Sequence, residues 1–492
     1  MANEKTVVTQ EEGGQELKRG IKGWQVAFIG LGGVIGSCYF LGVGVLVLDM
    51  GPAVILAFAL VGIIVYGLMI AYAELLVNLP RKGSFVAYTN EFLGETLSVG
   101  MGWSFWLNWV CYVPSEAIAV SIVINNFFPG NTMAYAIGAL ALLTIINLTA
   151  VDVFAKVEST LAIIKVIAII LFIIAAFGIW VGLWGSEGFL GASANFGNPE
   201  LGFMNQLFPN GTGIVLVSMV VVLVTFQGTE IVGLAAAEAQ DPDKSVPRAC
   251  KSVTYRIVGL YLVPIILILL IVPTGEAGLS ESIFSYALAK YDLNFLAAIM
   301  SGIVLVAAFS CANTGFYGTV RCMYGLSIEG LAPKFLCKLN KSSNPRNAVI
   351  FTLICMWIVL MIGFLYEDVF YVYLLSMSGF TGTLAWVGII ASQIVFRKRI
   401  KARGYDPNTC LKAGVKKNQF WIPGFAMIAQ LCCLVMLAFG EGMFGVFCLA
   451  CSAVFVPMIV RIIARKTGHV RAVEALGHDE KTFDEVFPPL NK

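Results

Sequence analysis

Four ionisable residues lie inside long apolar stretches of the sequence, and their chemistry needs an explanation before anything else. They are Glu74, Glu116, Lys165 and Glu230. Burying a charge away from water is costly, so such residues usually face a cavity, an opposite charge or a hydrogen-bonding group. Carboxylates and an ammonium at this depth can bind a charged solute or carry a proton. We expect such a role for Lys165 and Glu230, whereas Glu74 lies near the end of its stretch and should only pin one helix to another.

Interruptions that contain glycine lie in two of these apolar stretches. Four glycines crowd into the seven residues from Gly30 to Gly36, which is denser than a simple packing seam of small residues requires. The second interruption is Phe226-Gln-Gly-Thr-Glu230. Non-helical backbone at membrane depth is tolerated only where it lines a cavity or is buried in protein. Two broken helices in corresponding halves of one chain therefore indicate a transport site.

A broken helix offers partial charges of both signs to a ligand. The amide N–H groups that begin the outer half-helix suit a carboxylate. Unwound carbonyl groups and the C-terminal end of the other half-helix suit an ammonium. Because an α-amino acid carries both groups on one carbon, the two interruptions predict an amino acid as the ligand.

The composition places the chain in a membrane and excludes several other classes of protein. Of its 492 residues, 58% are hydrophobic and 13% are charged, with a formal net charge of +2. This is far from the composition of a soluble domain, and nothing in it suggests nucleic acid as a partner. Both histidines, His469 and His478, lie in the polar tail, and the cysteines are not spaced like metal ligands. We expect no catalytic residue, no metal site and no cofactor.

Twelve apolar runs are long enough to cross a bilayer, which takes about 20 residues. We number these predicted spans 1 to 12, and they lie at 24–48, 53–79, 100–126, 132–149, 157–184, 213–238, 254–274, 292–325, 347–366, 368–396, 419–440 and 443–465. A short segment at 1–23 precedes them and a charged tail at 466–492 follows. The sequence therefore predicts an all-α integral membrane protein with twelve transmembrane helices.

The basic residues predict the orientation of these spans. With the amino terminus inside, all but two of the 32 Lys and Arg residues fall in cytoplasmic segments, the exceptions being Lys165 and Lys290. Cytoplasmic loops of membrane proteins carry such an excess of positive charge. We therefore expect a multi-pass protein of the cytoplasmic membrane with both termini in the cytoplasm.

Several motifs, taken together and in order, resemble those of the amino acid permeases of bacteria and fungi. The motifs are Leu17-Lys-Arg-Gly20, Gly32-Gly-Val-Ile-Gly36, Phe226-Gln-Gly-Thr-Glu-Ile-Val-Gly233, Ala237-Glu-Ala-Gln-Asp-Pro-Asp-Lys-Ser-Val-Pro-Arg248 and Asn313-Thr-Gly-Phe-Tyr-Gly-Thr-Val-Arg321. These permeases form a branch of the amino acid–polyamine–organocation superfamily. The resemblance implies one transporter domain at 24–465 with the fold of LeuT. Two inverted five-helix repeats would lie at about 24–184 and 213–396, with spans 1 and 6 broken and two peripheral helices at about 419–465.

The resemblance also implies which residues bind the substrate. It places the ligand against the span 1 backbone from Gly33 to Cys38 and the span 6 backbone from Phe226 to Glu230, with Phe226 as an aromatic lid. The expected substrate-binding residues are Gly33, Val34, Ile35, Gly36, Ser37, Cys38, Glu116, Phe226, Gly228, Thr229, Glu230 and Ser378. Cys38 stands where many relatives have glycine, and we expect it to narrow the space for the substrate. Lys165 matches a lysine that replaces a sodium ion in proton-coupled relatives, so it is the expected proton-coupling residue.

The predicted function is that of a secondary active transporter. It would import an L-α-amino acid by proton symport and alternating access, with the amino acid, protons and the lipid bilayer as its partners. One alternative is an exchanger of an amino acid for a metabolic product. Alternatives of other classes are a channel, a nutrient sensor that does not transport, and a membrane enzyme. The last would require a cluster of nucleophilic, acid–base or metal-binding residues that the sequence lacks.

Overall fold

The computed structural model of the protein describes residues 23–149, 154–184, 194–195, 202–236, 247–250, 258–278, 281–340, 344–363, 370–413, 415–467 and 481–490. The segment at 1–22, most of the motif at 237–248 and much of the tail lie outside the described residues. Within the described ranges the chain forms helices and turns, with no strand. The prediction of an all-helical protein is confirmed.

Seven helices lie among the described residues between 23 and 184. They are α1 (Gly23–Val34), α2 (Val43–Met50), α3 (Val54–Asn78), α4 (Ser84–Leu93), α5 (Glu95–Phe127), α6 (Thr132–Thr149) and α7 (Phe154–Trp180). A π-helical turn at Cys38–Gly42 leads into α2, and a 3-10 turn at Gly51–Ala53 separates α2 from α3.

Ten more helices follow among the described residues from 202 onward. They are α8 (Phe203–Leu207), α9 (Thr212–Val224), α10 (Ile231–Ala236), α11 (Val263–Ile271), α12 (Ile283–Ala289), α13 (Asn294–Ile328), α14 (Arg346–Gly363), α15 (Phe370–Ala402), α16 (Trp421–Met436) and α17 (Phe444–Lys466). Single helical turns lie at Pro407–Cys410 and Phe483–Val486, and a π-helical turn at Val258–Leu262 leads into α11. Short 3-10 turns lie at Thr274–Glu276, Lys334–Cys337, Lys417–Gln419 and Leu437–Phe439.

The helices follow the hydrophobic pattern of the sequence. Each of the twelve predicted runs coincides with helix, and spans 1 and 6 are each divided into two helical pieces. Nine helical stretches in the described part of the chain are long and apolar enough to cross a membrane, and two shorter apolar helices accompany them. This supports a multi-pass membrane protein. The count of twelve crossings and the inverted repeats stay predictions.

Helix α5 lies at the centre of the bundle. It packs most extensively against α13 and α15 and also contacts α6 and α17. Polar side chains fasten these contacts: Ser104 donates to the carbonyl of Thr381 (2.8 Å), and Thr319 donates to the carbonyl of Trp106 (3.1 Å). Because α5 carries Glu116, this arrangement holds that carboxylate deep inside the protein.

Helix α7 has one face toward the bundle and one face away from it. The large side chains Ile163, Ile167, Leu171 and Ile174 are exposed and follow a helical spacing. Lys165 is fully buried on the other face. An apolar outer stripe is what a helix in contact with lipid requires, so the packing of α7 directs its one deep ammonium into the protein.

Candidate functional site

The first helix break lies between α1 and the π-helical turn. Regular helix ends at Val34 and the chain bends at Ile35 and Gly36. The backbone N–H of Tyr39 turns back to the carbonyl of Gly36 (3.2 Å). The glycine at position 36 is required, because a Cβ atom there would collide with the side chains of Glu116 and Cys311. The break predicted for span 1 is present.

The second break lies between α9 and α10 and is organised by Glu230. Residues 225–230 form turns rather than regular helix. Both carboxylate oxygens of Glu230 accept the backbone N–H of Gly228 (3.2 and 3.0 Å), and Oε2 also accepts the indole N–H of Trp386 (2.9 Å). The carboxylate therefore satisfies a backbone donor that the broken helix leaves free.

The two breaks meet at Gly33 and Gly228. Gly228 has a φ of +105°, a conformation that residues with a side chain rarely adopt. A Cβ atom at this position would collide with the carbonyl of Gly33 and lie 3.0 Å from the amide nitrogen of Val34. Only glycine at 228 allows the two unwound segments to approach this closely.

Tyr261 joins the two breaks from the side. Its hydroxyl donates to the carbonyls of Val34 (3.2 Å) and Thr225 (3.1 Å), one from each interrupted span. Phe226 is fully buried and stacks on the Tyr261 ring, with ring centroids 4.7 Å apart. Phe226 thus lies at the wall of the junction, and its role as an aromatic lid stays a prediction. The sequence reasoning did not find Tyr261, since a tyrosine in an apolar run carries no signal of its own.

Glu116 binds the backbone at the first break. Both of its carboxylate oxygens accept the N–H of Ser37 (3.1 and 3.0 Å), and the carboxylate is almost completely buried. The Ser37 hydroxyl pairs with that of Tyr371 (3.2 Å). The Ser37 N–H is one of the amides that the sequence predicts for binding a substrate carboxylate. A substrate that used it would have to displace Glu116.

Lys165 reaches the same broken segment from α7. Its ammonium donates to the carbonyls of Gly32 (2.7 Å) and Ile35 (3.0 Å) and to the hydroxyl of Ser310 on α13 (2.8 Å). All three N–H donors are therefore used. The ammonium ties α7, the first break and α13 together.

Glu158 is a buried carboxylate beside Lys165 that the sequence reasoning missed. Its Oε1 lies 4.0 Å from Lys165 Nζ and accepts a short hydrogen bond from Ser310. Its side chain is fully buried. It lies in Phe154-Ala-Lys-Val-Glu158, whose two charges mark the edge of an apolar run and so look like a solvated helix end. The spacing of seven residues from Lys165, which places both on one helix face, could have revealed it.

Ser378 lies in a polar cluster next to the second break. It donates to Asn108 in a short hydrogen bond and lies 3.3 Å from Oε1 of Gln227. The side-chain nitrogen of Gln227 donates to the carbonyls of Ser378 and Gly379 (3.2 Å each). The Nδ2 group of Asn108 is buried and makes no hydrogen bond among the described residues. The sequence reasoning named Ser378 alone and missed the two amides.

Cys38 and Thr229 occupy the ends of the two breaks. Cys38 begins the π-helical turn and is 1% exposed. Its Sγ lies 3.2 Å from the position that a Cβ atom on residue 42 would occupy. Thr229 is 2% exposed, and its hydroxyl makes no hydrogen bond among the described residues. A buried hydroxyl without a partner is costly, and a ligand at the junction could supply one.

Glu74 lies away from the breaks. It accepts two hydrogen bonds from Arg397 (2.7 and 2.8 Å), one from Gln393 (2.8 Å) and one from the backbone of Val415 (2.6 Å). All of these partners are structural groups of α15 and the segment after it. The expectation that Glu74 pins helix to helix agrees with this geometry.

No cluster in the described part of the chain resembles a metal site, since no three His, Cys, Asp or Glu residues there are placed to hold an ion. The chemistry of the junction is instead that of backbone dipoles, three carboxylates and one ammonium. These groups can orient a small charged molecule without changing its covalent bonds.

Comparison with known proteins identifies close relatives of this chain. The family model for amino acid permeases matches residues 25–471. Amino-acid permease RocC of Bacillus subtilis (strain 168) is 34% identical over 397 residues, covering 80% of this chain and 83% of that protein. Lysine-specific permease LysP of Escherichia coli (strain K12) is 32% identical over 404 residues, covering 80% and 81%. Gamma-aminobutyric acid permease of the same strain is 32% identical over 394 residues, covering 80% and 83%.

Proposed function

The chain belongs to the amino acid permease family, whose members are transporters rather than enzymes, and we propose that it imports an L-α-amino acid by proton symport with alternating access. The observation that carries this proposal is the junction of the two helix breaks at Gly33 and Gly228. Helical membrane proteins tolerate unwound backbone at membrane depth only where it lines a cavity or is buried in protein, and paired breaks of this kind are typical of transporter binding sites.

The substrate class follows from the groups at this junction. Amide N–H groups near Ser37 and Gly228 suit a carboxylate, and carbonyl groups of the unwound segments suit an ammonium. Glu116 and Glu230 now occupy those two amides as internal anions. A zwitterion can take over the amides with its own carboxylate and leave its ammonium beside the displaced acids.

The two carboxylates do not by themselves favour a substrate with a basic side chain. Each is already bound to the backbone, and Glu230 also accepts from Trp386. The relatives named for lysine and for γ-aminobutyrate differ in substrate charge at similar identity to this chain. What their ligands share is an amine and a carboxylate in one molecule.

Coupling to protons is proposed from the position of Lys165. In its charged form the ammonium holds the carbonyls of Gly32 and Ile35 beside Ser310. Loss of the proton would weaken these charge-assisted hydrogen bonds, which are about twice as strong as neutral ones. The broken segment of span 1 could then move relative to α7 and α13. We further propose that the protein lies in the cytoplasmic membrane with both termini inside, on the basis of its basic residues.

The decisive experiment is transport by the purified protein in proteoliposomes. A radiolabelled mixture of the protein L-amino acids is supplied under an imposed proton gradient, an imposed sodium gradient, or neither. Competition is then measured with L-lysine, with cadaverine, which lacks the carboxylate, and with L-lysinamide, in which the carboxylate is capped. γ-Aminobutyrate, whose two charged groups are separated by three methylene groups, is the fourth competitor.

We expect accumulation with the proton gradient alone and competition by L-amino acids but not by cadaverine or lysinamide. γ-Aminobutyrate should compete weakly because its charges are too far apart for adjacent amide and carbonyl groups. Cadaverine as the best competitor would contradict the substrate assignment, and a requirement for sodium would contradict the coupling assignment. Counterflow without net accumulation would identify an exchanger, and binding with neither flux would identify a sensor.

A further inference from the structure

Glu158 forms a continuous hydrogen-bonded chain with Lys165 through the hydroxyl of Ser310. The ammonium of Lys165 donates to Ser310 Oγ (2.8 Å), and Ser310 Oγ in turn donates to Glu158 Oε1. Lys165 Nζ and Glu158 Oε1 are 4.0 Å apart. Both charged side chains are fully buried, so no bulk water competes for either group.

We propose that Glu158 is the proton acceptor of Lys165 and that Ser310 relays the proton between them. This inference rests on the proposed proton symport, because it names the group that takes the proton when Lys165 releases it. Glu158 and Ser310 would therefore be coupling residues rather than substrate-binding residues.

The relay balances in atoms and charge without any further reactant. Lys165 gives one N–H proton to Ser310 Oγ, while Ser310 gives its own hydroxyl proton to Glu158 Oε1. An ammonium and a carboxylate become a neutral amine and a carboxylic acid, and the serine hydroxyl is regenerated. The hydrogen bonds reverse direction: Glu158 then donates to Ser310, and Ser310 donates to the lone pair of Lys165.

The surroundings of Glu158 favour a proton-carrying role over a purely structural one. Its Oε2 is buried and accepts no hydrogen bond of ordinary geometry within the described residues, while Asn313 and Thr314 are polar neighbours of the carboxylate. A structural ion pair would be expected to satisfy both oxygens. The two carboxylate oxygens of Glu74, by contrast, accept four hydrogen bonds in all.

The backbone of the first break is shaped to admit this carboxylate. Gly32 lies directly against Glu158, and a Cβ atom at position 32 would collide with the carboxylate and lie 3.2 Å from Cγ. The same glycine presents its carbonyl to Lys165. The break therefore contacts both ends of the relay.

Other titratable groups act on Lys165 but are not linked to it in this way. Glu116 on α5 and Cys311 on α13 are the other titratable groups near Lys165 in the described structure. The hydrogen bonds of Glu116 go to Ser37, and Cys311 donates to the carbonyl of Gly33 (3.0 Å). Glu158 is thus the one acid that the hydrogen bonds of the described residues connect to Lys165.

The position of Glu158 along α7 gives the relay a direction. It lies seven residues before Lys165, which is about 10 Å along the helix axis. This is toward the end of α7 that our proposed orientation places in the cytoplasm. Lys165 Nζ and Glu158 Oε1 are only 4.0 Å apart, so the relay moves the proton by one short step, to a side chain rooted nearer the proposed cytoplasmic end of α7.

The test compares transport that requires net proton movement with transport that does not. Glu158→Gln preserves the shape of the side chain and can still accept from Ser310, but cannot take up a proton. Ser310→Ala removes the relay and keeps both charges. The matched controls are Glu329→Gln at the end of α13 and Ser301→Ala, whose hydroxyl bonds Ser285 on a neighbouring helix. Each variant is reconstituted and supplied with the radiolabelled mixture of L-amino acids.

We expect Glu158→Gln and Ser310→Ala to reduce accumulation driven by a proton gradient at least about tenfold. Their counterflow should stay within about twofold of the wild type, because exchange requires no net proton transfer. The double variant should accumulate no less substrate than the less active single variant, since both changes act on one step. The controls should match the wild type in both assays.

Several results would overturn the relay. If Glu158→Gln accumulates substrate like the wild type while Lys165→Ala does not, the relay is refuted and the proposed symport stands. Parallel loss of accumulation and counterflow in Ser310→Ala shows a structural role. A wild type that does not respond to a proton gradient refutes the proposed symport and the relay together. Should Glu158→Gln not fold, Ser310→Ala decides alone.

Discussion

At the scale of single residues, the charged groups in the apolar interior have sharply different environments. Glu116 and Glu230 bind amides of the helix breaks, while Lys165 binds the carbonyls. Each of these side chains therefore hydrogen-bonds a backbone N–H or carbonyl group that the break leaves without a helical partner. Because the compensation by Lys165 depends on its charge, loss of its proton would weaken its hold on the carbonyls of Gly32 and Ile35.

The first prediction concerns Lys165→Ala. Removing the ammonium should abolish accumulation driven by a proton gradient, because the carbonyls of Gly32 and Ile35 lose the group whose charge binds them. Substrate binding and counterflow should persist, since Lys165 does not lie among the amides proposed to bind the substrate. Uptake and counterflow in proteoliposomes measure the two effects separately.

The control for this change is Lys290→Ala, at a partly exposed lysine paired with Glu276 away from the breaks. It should transport like the wild type. Full proton-driven accumulation by a folded Lys165→Ala protein would contradict the coupling role. Loss of thermal stability together with loss of binding would instead show that Lys165 only holds helices in place.

At the scale of secondary-structure elements, the main feature is the direct contact of the two unwound segments. Ordinary helices cannot approach so closely, because side chains keep their backbones apart. Here Gly33 and Gly228 remove those side chains, and Tyr261 binds a carbonyl on each segment. The two broken spans therefore behave as one unit at their centre.

The second prediction concerns Gly228→Ala. The new methyl group would occupy the position of the Gly33 carbonyl in a backbone conformation with φ of +105°. We expect loss of uptake and of counterflow together, with a destabilisation of about 1–3 kcal/mol from the strained conformation alone. Uptake assays and thermal unfolding in detergent report these effects.

Gly138→Ala on α6 is the matched control, because a Cβ atom there would meet nothing within 4 Å. It should retain transport and gain up to about 1 kcal/mol from helix propensity. Transport by Gly228→Ala at the rate of this control would show that the junction tolerates a side chain, and would remove the main support for the proposed binding site.

At the scale of the whole molecule, several contacts that hold the bundle together involve residues outside the two breaks. Glu74 joins α3 to α15 and to the segment before α16 through Arg397, Gln393 and Val415. The end of the chain also docks on the bundle: Phe483 packs on Phe92 with ring centroids 5.8 Å apart.

The third prediction concerns Glu74→Ala. Removing one partner of a buried ion pair leaves the other charge uncompensated, which typically costs about 3–5 kcal/mol. We expect a large fall in the unfolding temperature, whereas counterflow by the protein that remains folded should be close to that of the wild type. Thermal unfolding of the variant and the wild type in the same detergent measures the loss of stability, and counterflow at low temperature measures transport by the folded protein.

Glu276→Ala provides the control, since Glu276 forms a partly exposed pair with Lys290. Such pairs contribute less than about 1 kcal/mol. The hydrogen bond from Lys290 holds the pKa of Glu276 below its ordinary value, so this small contribution is present at neutral pH and is lost as the pH falls through the lowered pKa. Equal unfolding temperatures for the two variants would contradict the structural role of Glu74.

The sequence by itself determined the class of the protein, the location of its helices and its family. Hydrophobic runs are local features, so α5, α6, α13 and α14 begin and end within a few residues of spans 3, 4, 8 and 9. The family resemblance drawn from five motifs is confirmed by the match over residues 25–471. The glycine clusters likewise indicated both helix breaks, because glycine weakens a helix wherever it occurs.

Only the tertiary structure decided which groups meet. Glu116 and Ser37 are 79 residues apart, and Lys165 and Ser310 are 145 residues apart, so their hydrogen bonds depend on how distant helices pack. Glu158 looked like a solvated charge in sequence because burial is set by neighbours that come from other parts of the chain. For the same reason the sequence could name Ser378 but not Asn108 or Gln227, whose amide groups become part of the site only when α5, α15 and the second break come together.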